Sequence, residues 1–195
     1  MTVRPGPKFT GVDTYRDPQG RFQFRYPSDW IHYPLQGARE GAMYSPQSQN
    51  PQTWYAVWIT RLEYEVVAED FEILAPNVRK GLEQLPDLAI EAQDDFIYGN
   101  LIKFDRTFTF RDGDAVRKQH MWLMYVSTWQ IVAAFQGETV EEYEYWLPMG
   151  NYSFQFFTIP HELWFAADRD LNKPGASPKK PRVPRGAAKD QTKDA

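Results

Sequence analysis

Hydrophobic and polar residues alternate along several stretches of the chain, and the first lies near the N-terminus. It follows Asp17-Pro18-Gln19-Gly20, which has the residues of a β-turn. The aromatic residues after this turn are separated by single polar residues: Phe22, Phe24 and Tyr26. This period of two predicts a half-buried strand, which ends at Pro27 because proline cannot donate to a strand ladder. Trp30 is large enough to close one end of a core.

Similar patterns further along predict more strands, over residues 41–46, 54–62, 87–98, 101–110, 116–126 and 129–135. Asp112-Gly113-Asp114 predicts the turn of the longest hairpin, and Ser127-Thr128 predicts a tight connection between the last two strands. Six large side chains are expected to be mostly buried: Trp30, Trp58, Leu82, Phe104, Phe108 and Phe135.

Two segments have helical patterns instead. The first has apolar residues at intervals of three and four: Phe71, Leu74, Val78, Leu82 and Leu85. Pro76 should kink or restart this helix. The second helix opens with Thr139 as N-cap and Glu142 three residues on, and Pro148 and Gly150 are expected to interrupt it before residues 151–156 resume. Together the elements predict an α+β fold, an antiparallel β-sheet with helices packed on its faces.

The first hairpin also carries a resemblance. Its order DP-x-G-x-F-x-F-x-YP-x-x-W, over residues 17–30, resembles the N-terminal signature of the PsbP-like superfamily of PsbP, Mog and DcrB-type proteins. The resemblance covers residues 15–159 and implies an α/β/α sandwich. It implies a non-catalytic accessory or adaptor subunit of a larger protein assembly, or alternatively a chaperone-like carrier of an apolar segment of a partner. Residues 160–167 and the helix break at Pro148 depart from the family pattern.

Charge is distributed unevenly along the 195 residues. Residues 173–195 carry seven basic and two acidic side chains, a net charge of +5; the whole chain carries −4, which leaves −9 on residues 1–172. The basic end is also rich in proline and poor in apolar residues, which predicts disorder. The expected organisation is a flexible arm over 1–13, a PsbP-like domain over 14–159, an aromatic extension over 160–172 and a disordered basic tail over 173–195.

Few residues suggest chemistry. The chain has no cysteine, so disulfides and thiolate sites are excluded, and no secretory or membrane-spanning apolar run, which together predict a soluble cytoplasmic protein. His32, His120 and His161 lack metal-ligand spacing, and no phosphate-binding glycine loop or Gly-x-Ser-x-Gly step is present.

Acidic residues offer the remaining candidates for a site. Asp94-Asp95 and Asp112-Gly113-Asp114 could hold a hard cation, but solvated turn residues are the favoured interpretation. Glu138, Glu141, Glu142 and Glu144 fit the N-terminus of a helix better than a catalytic carboxylate pair. We therefore expect no catalytic residue, no cofactor, no metal and no enzymatic activity.

The C-terminus supplies the candidate partner-binding residues. Trp164 and Phe165 are the expected apolar anchor, and four basic residues are expected to steer the encounter with an acidic surface: Lys179, Lys180, Arg182 and Arg185. The expected partner is another protein or protein complex, and nucleic acid is not expected. A tail that only solubilises the chain remains the alternative. The sequence leaves the oligomeric state open.

Overall fold

The computed structural model describes residues 4–37 and 39–164. The strands are β1 (Val12–Arg16), β2 (Gln23–Pro27), β3 (Ile31–Tyr33), β4 (Glu40–Ser45), β5 (Trp54–Val66), β6 (Ala89–Tyr98), β7 (Leu101–Asp112) and β8 (Ala115–Gly137). The helices are α1 (Phe71–Leu82), α2 (Val140–Gln155) and the single turn α3 (His161–Trp164), with a 3₁₀ turn over Ala68–Asp70.

Six strands form one antiparallel sheet in the order β3-β4-β5-β8-β7-β6, while β1 and β2 form a separate hairpin. The predicted antiparallel sheet is thus confirmed. Its longest hairpin joins β7 to β8, with Asp112 opposite Ala115 and Gly113 at a φ of 59°. Glycine suits this left-handed backbone because it has no Cβ. The turn predicted at Asp112-Gly113-Asp114 is therefore confirmed.

The connection predicted at Ser127-Thr128 is wrong, because β8 runs through these residues without a turn. The first half of β8 pairs with β7 up to Tyr125, and the second half pairs with β5 from Ser127 onward. Ser127 has a φ of 52°, and the register of β5 shifts between Arg61 and Val66 opposite it. A backbone irregularity of this kind bends a strand, which allows the single long strand β8 to pair with β7 in its first half and with β5 in its second half.

Each face of the sheet packs against a different layer. Ile102, Phe104 and Tyr125 point to one face, where Leu74 and Val78 of α1 cover them. Met124 and Val126 point to the other face and join the larger core, which includes residues of α2 and of the β1–β2 hairpin. The result is the three-layered α/β/α arrangement that the PsbP-like resemblance implied.

Arg21, in the loop of the β1–β2 hairpin, forms a buried ion pair within the loop and also contacts the sheet. The Arg21 guanidinium donates to both carboxylate oxygens of Asp17 at 2.7 and 2.8 Å, contacts Glu40 of β4 at 2.7 Å and stacks over Trp129 of β8. Burial acts to raise the pKa of Asp17, but the hydrogen bonds and charge of Arg21 outweigh it and hold that pKa below its usual value. Arg21 thus links the turn to β4 and β8 of the sheet.

Helix α2 begins as predicted but is not interrupted. Thr139 Oγ1 accepts a hydrogen bond from the Glu142 N–H at 3.1 Å, which confirms the N-cap. The interruption expected at Pro148 and Gly150 is wrong, since α2 is continuous to Gln155. Pro148 removes one intrahelical donor, whereas Met149 and Phe154 in the same helix are buried in the core. Packing of this face outweighs the lost hydrogen bond.

Four of the six predicted core residues are buried: Trp30, Phe104, Phe108 and Phe135. The prediction is wrong for Trp58 and Leu82, which are only half-buried. In β5 the residues Tyr55, Val57 and Ile59 point into the larger core, so Trp58 lies on the opposite face, under the Arg39 guanidinium. Leu82 is the last residue of α1 and packs against the core under α1 as a partly buried side chain.

The N-terminal residues that the structure describes lie along α2. Arg4 forms an ion pair with Glu142 and stacks over Tyr145 at 3.5 Å, and Phe9 packs on Tyr152. Among the described residues, no helix combines the length and the apolar character that crossing a bilayer requires.

Candidate functional site

An apolar cleft of about 330 Å³ opens on the face of the sheet that also carries α2. This apolar cleft is lined by nine residues: Phe96, Tyr98, Leu101, Lys103, Trp122, Met124, Phe157, Ile159 and Trp164. Lys103 is the one charged residue among them. A concave, mainly apolar surface with a single charge is a typical site for binding a ligand or a partner side chain.

Strand register brings the floor of the cleft together. Phe96 of β6 lies opposite Lys103 of β7, which in turn lies opposite Met124 of β8. Opposite residues in antiparallel strands share a face, so these three side chains form one row. Phe157 and Ile159 form one wall of the apolar cleft. Thr158, which lies between them, makes two backbone hydrogen bonds with Gln23 of β2, at 2.8 and 2.9 Å.

Trp164, one of the predicted partner-binding residues, closes the cleft at the tip of β6. Its carbonyl oxygen accepts a hydrogen bond from the Asn100 N–H at 3.2 Å, and its ring meets the Tyr98 ring edge-on, 5.7 Å between centroids. Its indole nitrogen is buried and has no hydrogen-bond partner among the described residues. The other predicted binding residues lie outside the described residues: Phe165, Lys179, Lys180, Arg182 and Arg185.

Lys103 occupies the inner end of the cleft between two aromatic rings. Its Nζ lies 4.1 Å from the centroid of Trp122 and 4.3 Å from that of Phe96. The nearest carboxylate is that of Asp105, 3.6 Å away. These cation–π contacts hold the Lys103 ammonium group beside the apolar lining of the cleft.

A polar pair continues inward from Lys103. His120 Nε2 lies 2.8 Å from Asp105 Oδ1, and the imidazole packs on the Phe154 ring of α2. Burial acts to raise the pKa of Asp105, but the hydrogen bond and charge of His120 and the charge of Lys103 outweigh it and lower that pKa. Among the described residues His120 has no hydrogen bond to a serine or threonine hydroxyl, so this pair lacks the nucleophile of a catalytic triad.

Two of the other acidic candidates are engaged in ion pairs. Asp95 contacts Arg106 at 2.6 Å, and Asp112 contacts Arg117 at 3.2 Å. Asp94 and Asp95 lie in the middle of β6, so the interpretation of these two as turn residues is wrong. Within residues 4–37 and 39–164, no group of three or more histidine or acidic side chains is arranged to hold a metal ion.

The rim of the cleft is exposed at β6, which is the last strand of the sheet. Phe96 is 46% exposed, Ile97 49% and Tyr98 57%. Sequence reasoning identified this strand but missed the cleft, because period two does not reveal which strand lies at an edge. The one available signal was three consecutive apolar residues after two aspartates, a pattern that a half-buried strand lacks.

Comparison with known proteins adds the fold family. No protein-family model and no curated protein matches the sequence. Solved structures do match. CyanoP, the cyanobacterial PsbP of Synechocystis sp. PCC 6803, superposes with a TM-score of 0.51 at 12% identity, over 82% of this chain and 99% of CyanoP. The chain has the PsbP-like fold. LpqN of Mycobacterium tuberculosis, described as involved in cell envelope biogenesis, superposes with a TM-score of 0.54 at 12% identity, over 77% of this chain and 91% of LpqN. The PsbP-like resemblance of the N-terminal motif is thus confirmed at the level of the fold.

Proposed function

We propose that this PsbP-like protein is a non-catalytic binding protein, an adaptor or accessory subunit that docks onto another protein through the apolar cleft. The observation that carries the proposal is the cleft itself, with Phe96 and Tyr98 exposed at its rim and Trp164 at its end. Aromatic anchors in apolar pockets account for much of the binding energy in protein interfaces. The partner should therefore insert apolar side chains between these rings.

A binding role also agrees with the polar groups beside the cleft. Lys103, Asp105 and His120 pair with one another and with aromatic rings. These contacts hold the three side chains in place beside the floor of the cleft, and none of the three is an activated nucleophile. PsbP-like neighbours supply the fold, whereas the proposal for this chain rests on its own residues.

The test compares two exposed aromatic residues. Phe96→Ser removes an aromatic ring from the rim, and Tyr64→Ser removes one that is 58% exposed on β5 and lies outside the cleft. Wild type and both variants are used as bait in native extract, and a protein lost only with Phe96→Ser is then purified and titrated by calorimetry. We expect at least a tenfold weaker Kd for Phe96→Ser, since losing an interface anchor typically costs about 2 kcal/mol. Equal binding by both variants would refute docking at the cleft.

A chaperone-like carrier of an apolar segment is the second candidate function. It is favoured by the run Phe96, Ile97 and Tyr98, which leaves three large apolar side chains exposed in succession. A carrier should keep its purified partner from aggregating at a one-to-one ratio, as followed by light scattering, whereas an accessory subunit should have no such effect. Phe96→Ser should abolish the protection.

The basic tail has a separate expected role, in steering. Neutralising Lys179, Lys180, Arg182 and Arg185 should slow association and flatten its salt dependence, whereas Trp164→Ala should mainly speed dissociation. Deleting residues 173–195 should leave the free energy of unfolding nearly unchanged. If the truncated chain binds the partner at the same rate and with the same salt resistance, the tail is only a solubilising end.

A further inference from the structure

Strand β6 presents an open edge beside the apolar cleft. It is the terminal strand in the sheet order and pairs with β7 alone among the described strands. All ten of its residues are exposed. Along a terminal strand every second backbone N–H and C=O points away from the sheet, and such a row pairs readily with another extended chain.

We propose that β6 binds an extended segment of the partner as a seventh strand, with basic and apolar side chains at alternate positions. This inference rests on the proposed function, because the added strand would place the partner's apolar residues at the rim of the cleft. Strand addition also specifies the chemistry of the partner segment, because both its backbone and its side chains would contribute to recognition.

Strand register determines which residues the added strand would meet. Ile97 lies opposite Ile102, which faces α1, so Phe96 and Tyr98 point to the cleft side. Asp94 shares that side and lies directly opposite Asp105 of β7. The cleft side of the edge therefore has two aromatic rings at one end and carboxylates further along.

Glu91 extends the acidic part of this edge. Its carboxylate contacts Lys118 at 2.9 Å, and the same Nζ contacts Glu144 of α2 at 2.6 Å, which places the group on the cleft side. Because β6 contains Glu91, Asp94 and Asp95 but no basic residue, a segment with lysine or arginine opposite the carboxylates is electrostatically favoured. Apolar side chains two and four residues away would then meet Phe96 and Tyr98.

The same charges argue against two other occupants. A second copy paired antiparallel with β6 would bring together two strands that each carry Glu91, Asp94 and Asp95 and no basic residue, and this repulsion between like charges disfavours the pairing. The tail of the chain is basic but contains prolines at 174, 178, 181 and 184. Proline has no N–H to donate, so the tail is a poor ladder strand.

The experiment uses the full chain and synthetic peptides as probes. One labelled peptide has lysine at two alternating positions, then valine at two alternating positions, with threonine between them. Its companion has the reversed sequence, since the direction of pairing is unspecified. We expect one of them to bind by fluorescence anisotropy and to slow hydrogen exchange at backbone amides within residues 89–97.

Two alterations separate backbone pairing from charge. N-methylation of alternate peptide nitrogens, in the register that faces β6, should weaken binding about tenfold or more because it removes ladder donors. Asp94→Lys should weaken binding of the lysine peptide by a similar factor and strengthen binding of a matched peptide that has glutamate in place of lysine. Tyr64→Ser is the control and should leave both affinities unchanged.

The failures of the two proposals are distinguishable. Binding that tolerates N-methylation in both registers, no binding of either peptide, or a stable dimer of the chain with slowed exchange at β6 would each overturn strand addition. The cleft proposal would still stand if Phe96→Ser selectively lost the purified partner. Conversely, equal partner binding by Phe96→Ser and Tyr64→Ser would refute the cleft proposal, whatever the peptides do.

Discussion

Replacing Gly150 by alanine is a sensitive test of how α2 packs on the sheet. Gly150 is buried in the middle of α2, and a Cβ at this position would lie 2.6 Å from Cγ and Cδ1 of Phe135. Phe135 is completely buried, and its ring contacts Tyr143 from the same helix. Neither the ring nor the helix can move without disturbing the larger core.

Two opposing terms decide the sign of the effect. Alanine is the better helix former by about 1 kcal/mol, which would stabilise α2. Overpacking a well-filled core typically costs about 1–3 kcal/mol, and a carbon approaching an immobile ring to 2.6 Å belongs at the upper end of that range. We therefore expect Gly150→Ala to lower the free energy of unfolding by about 1–2 kcal/mol.

Gly81 provides the matched control, because it is also helical but a Cβ there would have no neighbour within 4 Å. Gly81→Ala should raise the free energy of unfolding by about 0.5–1 kcal/mol, from helix propensity alone. Urea unfolding monitored by circular dichroism measures both variants at equal m-value. If Gly150→Ala were as stable as Gly81→Ala, the close approach of α2 to Phe135 would be wrong.

Three further substitutions test other parts of the structure by the same unfolding assay. Phe104→Ala should lower the free energy of unfolding by about 3–5 kcal/mol. Trp58→Ala should lower it by only about 1–2 kcal/mol, because Trp58 is half-buried. If Trp58→Ala lowered it as much as Phe104→Ala or more, Trp58 would lie in the core. Ser127→Val should cost about 1–2 kcal/mol at its φ of 52° while Ser127→Gly should not destabilise, and a harmless valine would contradict the backbone irregularity. Asp17→Ala should cost about 3 kcal/mol at neutral pH, since it leaves Arg21 without its buried partner. Because the folded-state pKa of Asp17 is lowered, its contribution to the free energy of unfolding is present above the unfolded value of 3.8 and is lost as pH falls through the folded pKa. The difference in free energy of unfolding between wild type and Asp17→Ala should therefore narrow in acid, and a constant difference would contradict the Asp17–Arg21 ion pair.

Much of the fold could be predicted from the sequence because its signals are local. Period two identifies β7 and the first half of β8, and the glycine between two aspartates marks their turn. Thr139 and Glu142 mark the start of α2. Such features depend on residues a few positions apart, so tertiary contacts do not need to be known.

The errors arose where tertiary packing decides. Serine and threonine in succession suggest a turn, but Ser127 lies in a strand that must pair with β7 before it and β5 after it. Trp58 suggests a core residue by its size, although the alternation of β5 assigns the core to its neighbours Val57 and Ile59. The cleft was missed for a similar reason, since its lining comes from five separate parts of the chain.

The exposed position of β6 raises the question of what holds this strand on the sheet. Its ladder with β7 is supplemented by ion pairs from its own carboxylates: Asp95 with Arg106 at 2.6 Å and Glu91 with Lys118 at 2.9 Å. Because the carboxylates of these pairs lie on an exposed strand, each pair contributes only up to about 1 kcal/mol, so stability alone is a weak reason for three acidic residues in one strand. Their larger effect is on association, because like charges disfavour pairing between copies while the aromatic end of the strand stays open. The acidic residues of β6 would thus select which chain reaches the apolar cleft.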